Sequence, residues 1–207
     1  MNHYIDITLL PEPDIELHFL WQKVFKQMLI ALVENKNSVG QSDVGLSWPG
    51  YRFDKSSVTL GNKLRVFAPN EPLLTKLAPS KWLERFQDHV HTTSIRSVPE
   101  AISYVCFSRK AVKGRYRIER DQQQKARRWM EKSDLSLEEC LARLEKTKPQ
   151  AENKLPFIWL NSEQTKRNSE NSISMFRLFI ECQPYENSQA GHFSCYGLSK
   201  STTVPWF

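Results

Sequence analysis

Residues 107–132, FSRKAVKGRYRIERDQQQKARRWMEK, carry ten Lys/Arg against three Asp/Glu. The segment is therefore +7 in a chain whose formal total is +6, which leaves the remainder close to neutral at −1. Charge gathered this tightly predicts a polyanion bound at one place rather than general solubility. From about Arg115 the segment reads as a helix. At about 100° per residue, Ile118, Ala126, Trp129 and Met130 fall on one side. Arg117, Arg120, Gln124, Arg127 and Arg128 fall on the other. A guanidinium is planar and bonds in a bidentate manner, which suits phosphate and guanine edges. The plainer alternative is a solvated charged face, but acidic partners at i+4 spacing, which such a face would use, are scarce.

Other chemistries find less support. The four cysteines, Cys106, Cys140, Cys182 and Cys195, are widely spaced with no Cys-x-x-Cys, arguing against a zinc site or a disulfide framework. His89 and His91 stand at i, i+2 on a strand, too few for a metal site. No metal and no cofactor are expected. A sequence pI near 9.1 favours nucleic acid over membrane. No apolar run approaches the ~18 residues of a spanning helix, and the N-terminus does not read as a signal peptide. The expected compartment is the reducing cytoplasm.

Regular elements must position the basic stretch. Tyr4 to Leu9 alternates, with Ile5, Ile7 and Leu9 on one face, as a strand does. Glu16 to Glu34 reads as a helix with Leu17, Leu20, Trp21, Val24, Met28, Ala31 and Leu32 on its core stripe. Val44–Trp48 and Lys63–Phe67 read as strands, Ser80 as the N-cap of a short helix, and His89–Ile95 as a strand. The order β-α-β-β-α-β predicts a ferredoxin-like domain over residues 1–97. A second α/β domain is expected over 98–207. It would hold a strand from Ile102 to Phe107, the arginine-rich helix, and a helix capped by Ser136 with Glu139. Strands Leu155–Leu160 and Met175–Cys182 and a turn at Gly197 would follow. The fold class is thus α+β.

Several stretches together resemble one family: the opening HYIDITLLPEPD, the strand into SRK with an arginine helix ending in DLS-x-EE, then LPFIWLNS, FRLFI, and the closing CYGLSK…VPWF. They resemble the CRISPR repeat-processing endoribonuclease of subtype I-F (Ypest) systems, over essentially the whole chain. The resemblance implies that the arginine helix docks into the major groove of the CRISPR repeat RNA hairpin. It implies metal-independent cutting at the hairpin's 3′ base by 2′-hydroxyl attack, leaving a 2′,3′-cyclic phosphate. The product would then be kept, with the protein a subunit of the type I-F interference complex.

Carried over residue by residue, the resemblance assigns base reading to Arg109 and stacking under the last base pair to Phe176. The basic positions Lys113, Arg115, Arg117, Arg120, Arg127, Arg128 and Lys132, with Gln124, are expected on the RNA. Ala111 stands where the family has a second base-reading glutamine, and Glu131 replaces another basic position. For catalysis the family uses a first-helix histidine, a serine and a tyrosine. Ser162 and Tyr196 match the last two; taken alone they read equally as a turn serine and a core aromatic. The histidine position carries Leu29, within an alignment that keeps His3-Tyr4, Pro11, Pro13, Phe25 and Ala31-Leu32-Val33 in step. A chain lacking its general base is expected to be slow or inactive. The alternative is a non-catalytic subunit that holds the RNA hairpin.

Overall fold

A computed structural model describes residues 1–100, 103–112, 115–133, 135–147, 154–161 and 175–207. The first sheet has the order β2-β5-β1-β6, from β1 (His3–Leu9), β2 (Gly45–Ser47), β5 (Lys63–Ala68) and β6 (Val90–Thr92). A short β7 (Arg96–Ser97) also pairs with β1, and every pairing in this sheet is antiparallel. A two-residue-strand hairpin, β3 (Arg52–Phe53) with β4 (Val58–Thr59), intervenes.

Helix α1 (Leu17–Glu34) buries Leu20, Trp21, Val24, Phe25, Met28, Ala31 and Leu32. That is the stripe read from its periodicity, with Phe25 added and Leu17 only half-buried. The next helical stretch differs from expectation. A helix α2 (Glu71–Leu77) begins at Asn70, whose side chain accepts from the Leu73 N–H. The following α3 (Pro79–Trp82) is not capped by Ser80. Ala78, at φ +46°, both ends α2 and precedes α3, and Pro79 supplies the preset φ of a first helical residue.

The second sheet has the order β11-β8-β10-β9, again antiparallel throughout. Its strands are β8 (Ser103–Lys110), β9 (Phe157–Asn161), β10 (Met175–Tyr185) and β11 (Val204–Trp206). The last strand of the first sheet, β7, ends at Ser97, and the first strand of the second sheet, β8, begins at Ser103. By compactness, however, both sheets form one unit, residues 1–110 with 155–207, and residues 111–154 form another. Within the larger unit α1 packs on β1 and on β9. Trp48, fully buried, meets Phe25 at 5.9 Å and Phe107 at 5.2 Å, so aromatic surface joins α1 to β8.

The face of β1 opposite Ile5, Ile7 and Leu9 is also covered. There Asp6 lies directly across from Arg65, and both are buried. The pair is bidentate, Nε–Oδ1 at 2.7 Å and Nη2–Oδ2 at 3.0 Å. Arg65 also donates through Nη1 to the Phe207 carbonyl at 2.9 Å, and its guanidinium lies over the Tyr4 and Phe207 rings. Both carboxylate oxygens and all three guanidinium nitrogens thus find a partner, which offsets the cost of their burial.

The smaller unit is a helical pair, α4 (Arg115–Met130) packed on α5 (Leu137–Glu145). Helix α5 starts on a full capping box: the Ser136 side chain accepts from the Glu139 N–H, and Glu139 accepts from the Ser136 N–H.

Candidate nucleic-acid interface and cleavage site

The anchoring stripe of α4 is Ile118, Gln122 and Ala126, all buried. Gln122 is tolerated there because its Nε2 donates to the Leu144 carbonyl of α5 at 3.2 Å. Trp129 and Met130, expected as anchors, are instead exposed, at 36% and 41%. The Trp129 ring carries the Arg143 guanidinium at 5.9 Å. Opposite the stripe, Arg120, Gln124, Arg127 and Arg128 are exposed and span about 100° of the helix circumference. Among the described residues, the ion pairs of arginine and lysine join Asp6 with Arg65 and Lys63, and Lys110 with Glu181. None engages Arg120, Arg127, Arg128 or Lys132. An unneutralised guanidinium face on a helix anchored by its other side can take up phosphates. Lys132 is exposed just past the helix end, while Lys113 and the side chains of Arg115 and Arg117 lie outside the described residues.

In the larger unit, Arg109, Phe176 and Tyr196 come together. Pairing of β10 with both β8 and β9 sets Arg109 opposite Ile180 and Phe176 opposite Leu160. The Arg109 guanidinium carbon lies 5.8 Å from the Phe176 ring centroid and 5.8 Å from that of Tyr196. The two rings therefore hold an exposed guanidinium in place by cation–π attraction. Tyr196 sits in a turn in which Ser194 donates to the Leu198 carbonyl and Gly197 to the Ser194 carbonyl. Gly197 has φ +69°, and a Cβ there would lie 2.4 Å from Leu46 Cγ and 3.2 Å from Leu32 Cδ1. The turn is thus seated on β2 and α1 at a place only glycine fits.

Leu29 is half-buried and packs against the hydrophobic core from α1, one helical turn before Leu32. Ser162 directly follows β9 but lies outside the described residues. Sequence reading left His192 without a role and did not single out Asp43. Both belong to this neighbourhood: His192 Nδ1 is 2.8 Å from Asp43 Oδ1. A cleft of about 580 Å³ is lined by His192, Tyr196, Arg109, Cys195, Ser199 and Lys200, among others. The signal in sequence was slight, a histidine four residues before the tyrosine of CYGLSK.

Two thiols of the second sheet, Cys106 and Cys182, are held in their protonated form. Burial, and then Cys106 beside it, push Cys182 up to about 12, and burial raises Cys106 as well. Tyr51, donating to the Ile180 carbonyl at 3.3 Å, is pushed up to about 12, chiefly by burial. No cluster of three or more His, Cys, Asp or Glu side chains among the described residues could hold a metal ion. No helix among them is long and apolar enough to cross a membrane.

Comparison with known proteins bears on what this surface does. The family profile "CRISPR-associated protein (Cas_Csy4)" matches residues 4–207. A "CRISPR-associated endonuclease Cas6/Csy4" from Pseudomonas aeruginosa (strain UCBPP-PA14) is 35% identical, covering all of both chains. Another of the same name from Escherichia coli (strain UTI89 / UPEC) is 29% identical, again over all of both chains. Among solved structures, "An RAMP protein binding different RNA substrates" covers 99% of each chain at 11% identity, with a TM-score of 0.32.

Proposed function

The chain belongs to the Cas6/Csy4 family of CRISPR-associated, crRNA-processing endonucleases of type I-F systems, and from that premise we propose that it grips the CRISPR repeat hairpin with the arginine face of α4 and acts at the hairpin's 3′ base. The observation that carries this reading is the row of exposed Arg120, Arg127 and Arg128 with Gln124, without an ion pair among the described residues and set opposite the buried Ile118–Gln122–Ala126 stripe. Phosphate contacts from the row and Lys132 supply affinity, and Lys113, Arg115 and Arg117 are proposed to add to them from the sequence pattern alone. Side chains reach few bases in an intact A-form major groove. Arg109, steadied by Phe176 and Tyr196, is therefore the base reader at the foot of the stem, and Phe176 offers a ring for the last base pair to stack on.

The reaction needs no metal. The ribose 2′-hydroxyl next to the scissile phosphate attacks phosphorus and expels the 5′-oxygen, leaving a 2′,3′-cyclic phosphate. Ser162 orients the ribose and Tyr196 lines the site. The family's histidine position is filled by Leu29, a side chain that cannot accept a proton. The chain therefore cuts slowly, stays on its product, and serves as a subunit of the type I-F interference complex. The strand order β2-β5-β1-β6 with α1 and α2 inserted supports a ferredoxin-like first domain, residues 1–97, with 98–207 as the RNA-binding domain.

The same Leu29 supports a second reading, a subunit that binds the hairpin and never cuts it. Leu29→His separates the two. Under single-turnover conditions with the cognate repeat RNA in EDTA, the variant should gain at least about 10²-fold in rate, the low end of what a general base supplies. No cyclic phosphate from either the parent chain or the variant, with verified hairpin binding, refutes the endonuclease reading and leaves the binding subunit.

A further inference from the structure

We propose that His192, held by Asp43, accepts the 2′-hydroxyl proton in this chain, taking over the role that Leu29 cannot perform. The inference rests on the endoribonuclease reading above and assigns that reaction a group of its own.

The closeness of the pair follows from backbone register. Ser42 and Phe193 form an antiparallel bridge in which each N–H donates to the other's carbonyl at 2.9 Å. In antiparallel register the next positions to face each other are 43 and 192. Their side chains do meet, His192 Nδ1 to Asp43 Oδ1 at 2.8 Å. The bridge is itself clamped. Phe193 is buried so closely on Gly45 that a Cβ there would lie 2.6 Å from its ring. Thr202 Oγ1 donates to the His192 carbonyl at 3.1 Å. The imidazole therefore stands on a fixed frame although its side chain is 55% exposed.

A carboxylate at Nδ1 fixes the tautomer: Nδ1 keeps its hydrogen and the lone pair lies on Nε2. Nε2 has no partner among the described residues, and the side chain lines the cleft that also holds Arg109 and Tyr196. Among the residues lining that cleft, His192 is the one imidazole. The other histidines lie elsewhere: His3 on β1, His18 paired with Glu16, His89 near Glu12, and His91 on β6. The step balances simply. The 2′-oxygen bonds to phosphorus while the bond from phosphorus to the 5′-oxygen breaks. The 2′ proton passes to His192 Nε2, and the departing 5′-oxygen takes a proton from water admitted by the open cleft. His192 then releases its proton to solvent. Arg109 and Lys200, cations on the same cleft, face the phosphate's charge.

The test uses the full chain and cognate repeat RNA in EDTA, with protein saturating so that binding does not limit the rate. The unsubstituted chain should form the 2′,3′-cyclic phosphate slowly. His192→Asn, whose amide can still donate to Asp43 but offers no base, should lower that rate at least about 10²-fold. His192→Ala should be partly rescued by added imidazole, which a merely structural clip would not show. Asp43→Asn should also lower the rate, through loss of the fixed tautomer. Wild-type cleavage by His192→Asn overturns the proposal, as does a chain that binds the hairpin and yields no cyclic phosphate. Failure to bind the hairpin at all overturns the parent reading as well, so the two failures are distinct.

Discussion

Replacing Arg120, Arg127 and Arg128 together by alanine tests the proposed RNA face most directly. All three are exposed, and none pairs with an acid among the described residues. In duplex binding each neutralised phosphate contributes about 0.9 to the slope of log affinity against log salt, so three contacts contribute about 2.7. Raising salt fourfold, from about 50 to about 200 mM, then weakens the parent chain about 40-fold more than the variant. The fold of α4 should survive, because alanine is the best helix former and the anchors Ile118, Gln122 and Ala126 are untouched. Fluorescence anisotropy with labelled repeat hairpin across a salt series reads the slope. Arg85→Ala, an exposed arginine of the larger unit, controls for net charge. An unchanged slope in the triple variant, or an equal loss in Arg85→Ala, refutes the assignment of α4 to the phosphates.

Two further outcomes concern stability. Asp6→Ala strands the buried Arg65 guanidinium and should cost about 3–5 kcal/mol in urea unfolding, while the double change with Arg65→Met should cost less than Asp6→Ala alone; a loss under about 1 kcal/mol would contradict the buried pairing. Burial raises Cys182 from 9.0 and Tyr51 from 10.0, each to about 12, so the folded state favours their neutral forms. Their contribution is full below the unfolded values and is lost as pH climbs from about 9 through about 12. The urea midpoint should fall over that range, and Cys182→Ala should fall less; equal falls would be the contrary result.

How far the sequence speaks depends on whether the deciding contact is local. The stripe of α1 and the Ser136–Glu139 box follow from spacings of three and four residues, and the structure has both. The β1 alternation correctly gave one buried face, yet Asp6 on the other face is buried too, because Arg65 and Phe207 arrive from 59 and 201 residues away. Helix α4 deceived in two ways. Gln122 scores as polar but is buried, since the Leu144 carbonyl meets it; Trp129 scores as an anchor but remains 36% exposed. Helix α2 is too short for periodicity to find, leaving Asn70 as its only clear sign. The His192–Asp43 pair spans 149 residues and exists through the Ser42–Phe193 bridge, which no local pattern announces.

The last sixteen residues give the proposed base reading and chemistry one frame. Phe193 seats on Gly45 of β2, Gly197 on Leu46 and Leu32, and the Ser199 N–H donates to the Phe107 carbonyl of β8. Val204–Trp206 then extends the second sheet on β8, and the Phe207 carbonyl closes on Arg65 of the first. The tail therefore fastens itself to both sheets in turn. Tyr196 and His192 are carried on it, and Arg109 stands on the strand it joins. In the reading proposed above, an RNA base taken by Arg109 would set its phosphate against a turn that cannot drift without breaking those contacts. Positioning of that kind is what an attack by a neighbouring 2′-hydroxyl requires most, since the nucleophile and the phosphate belong to one flexible chain.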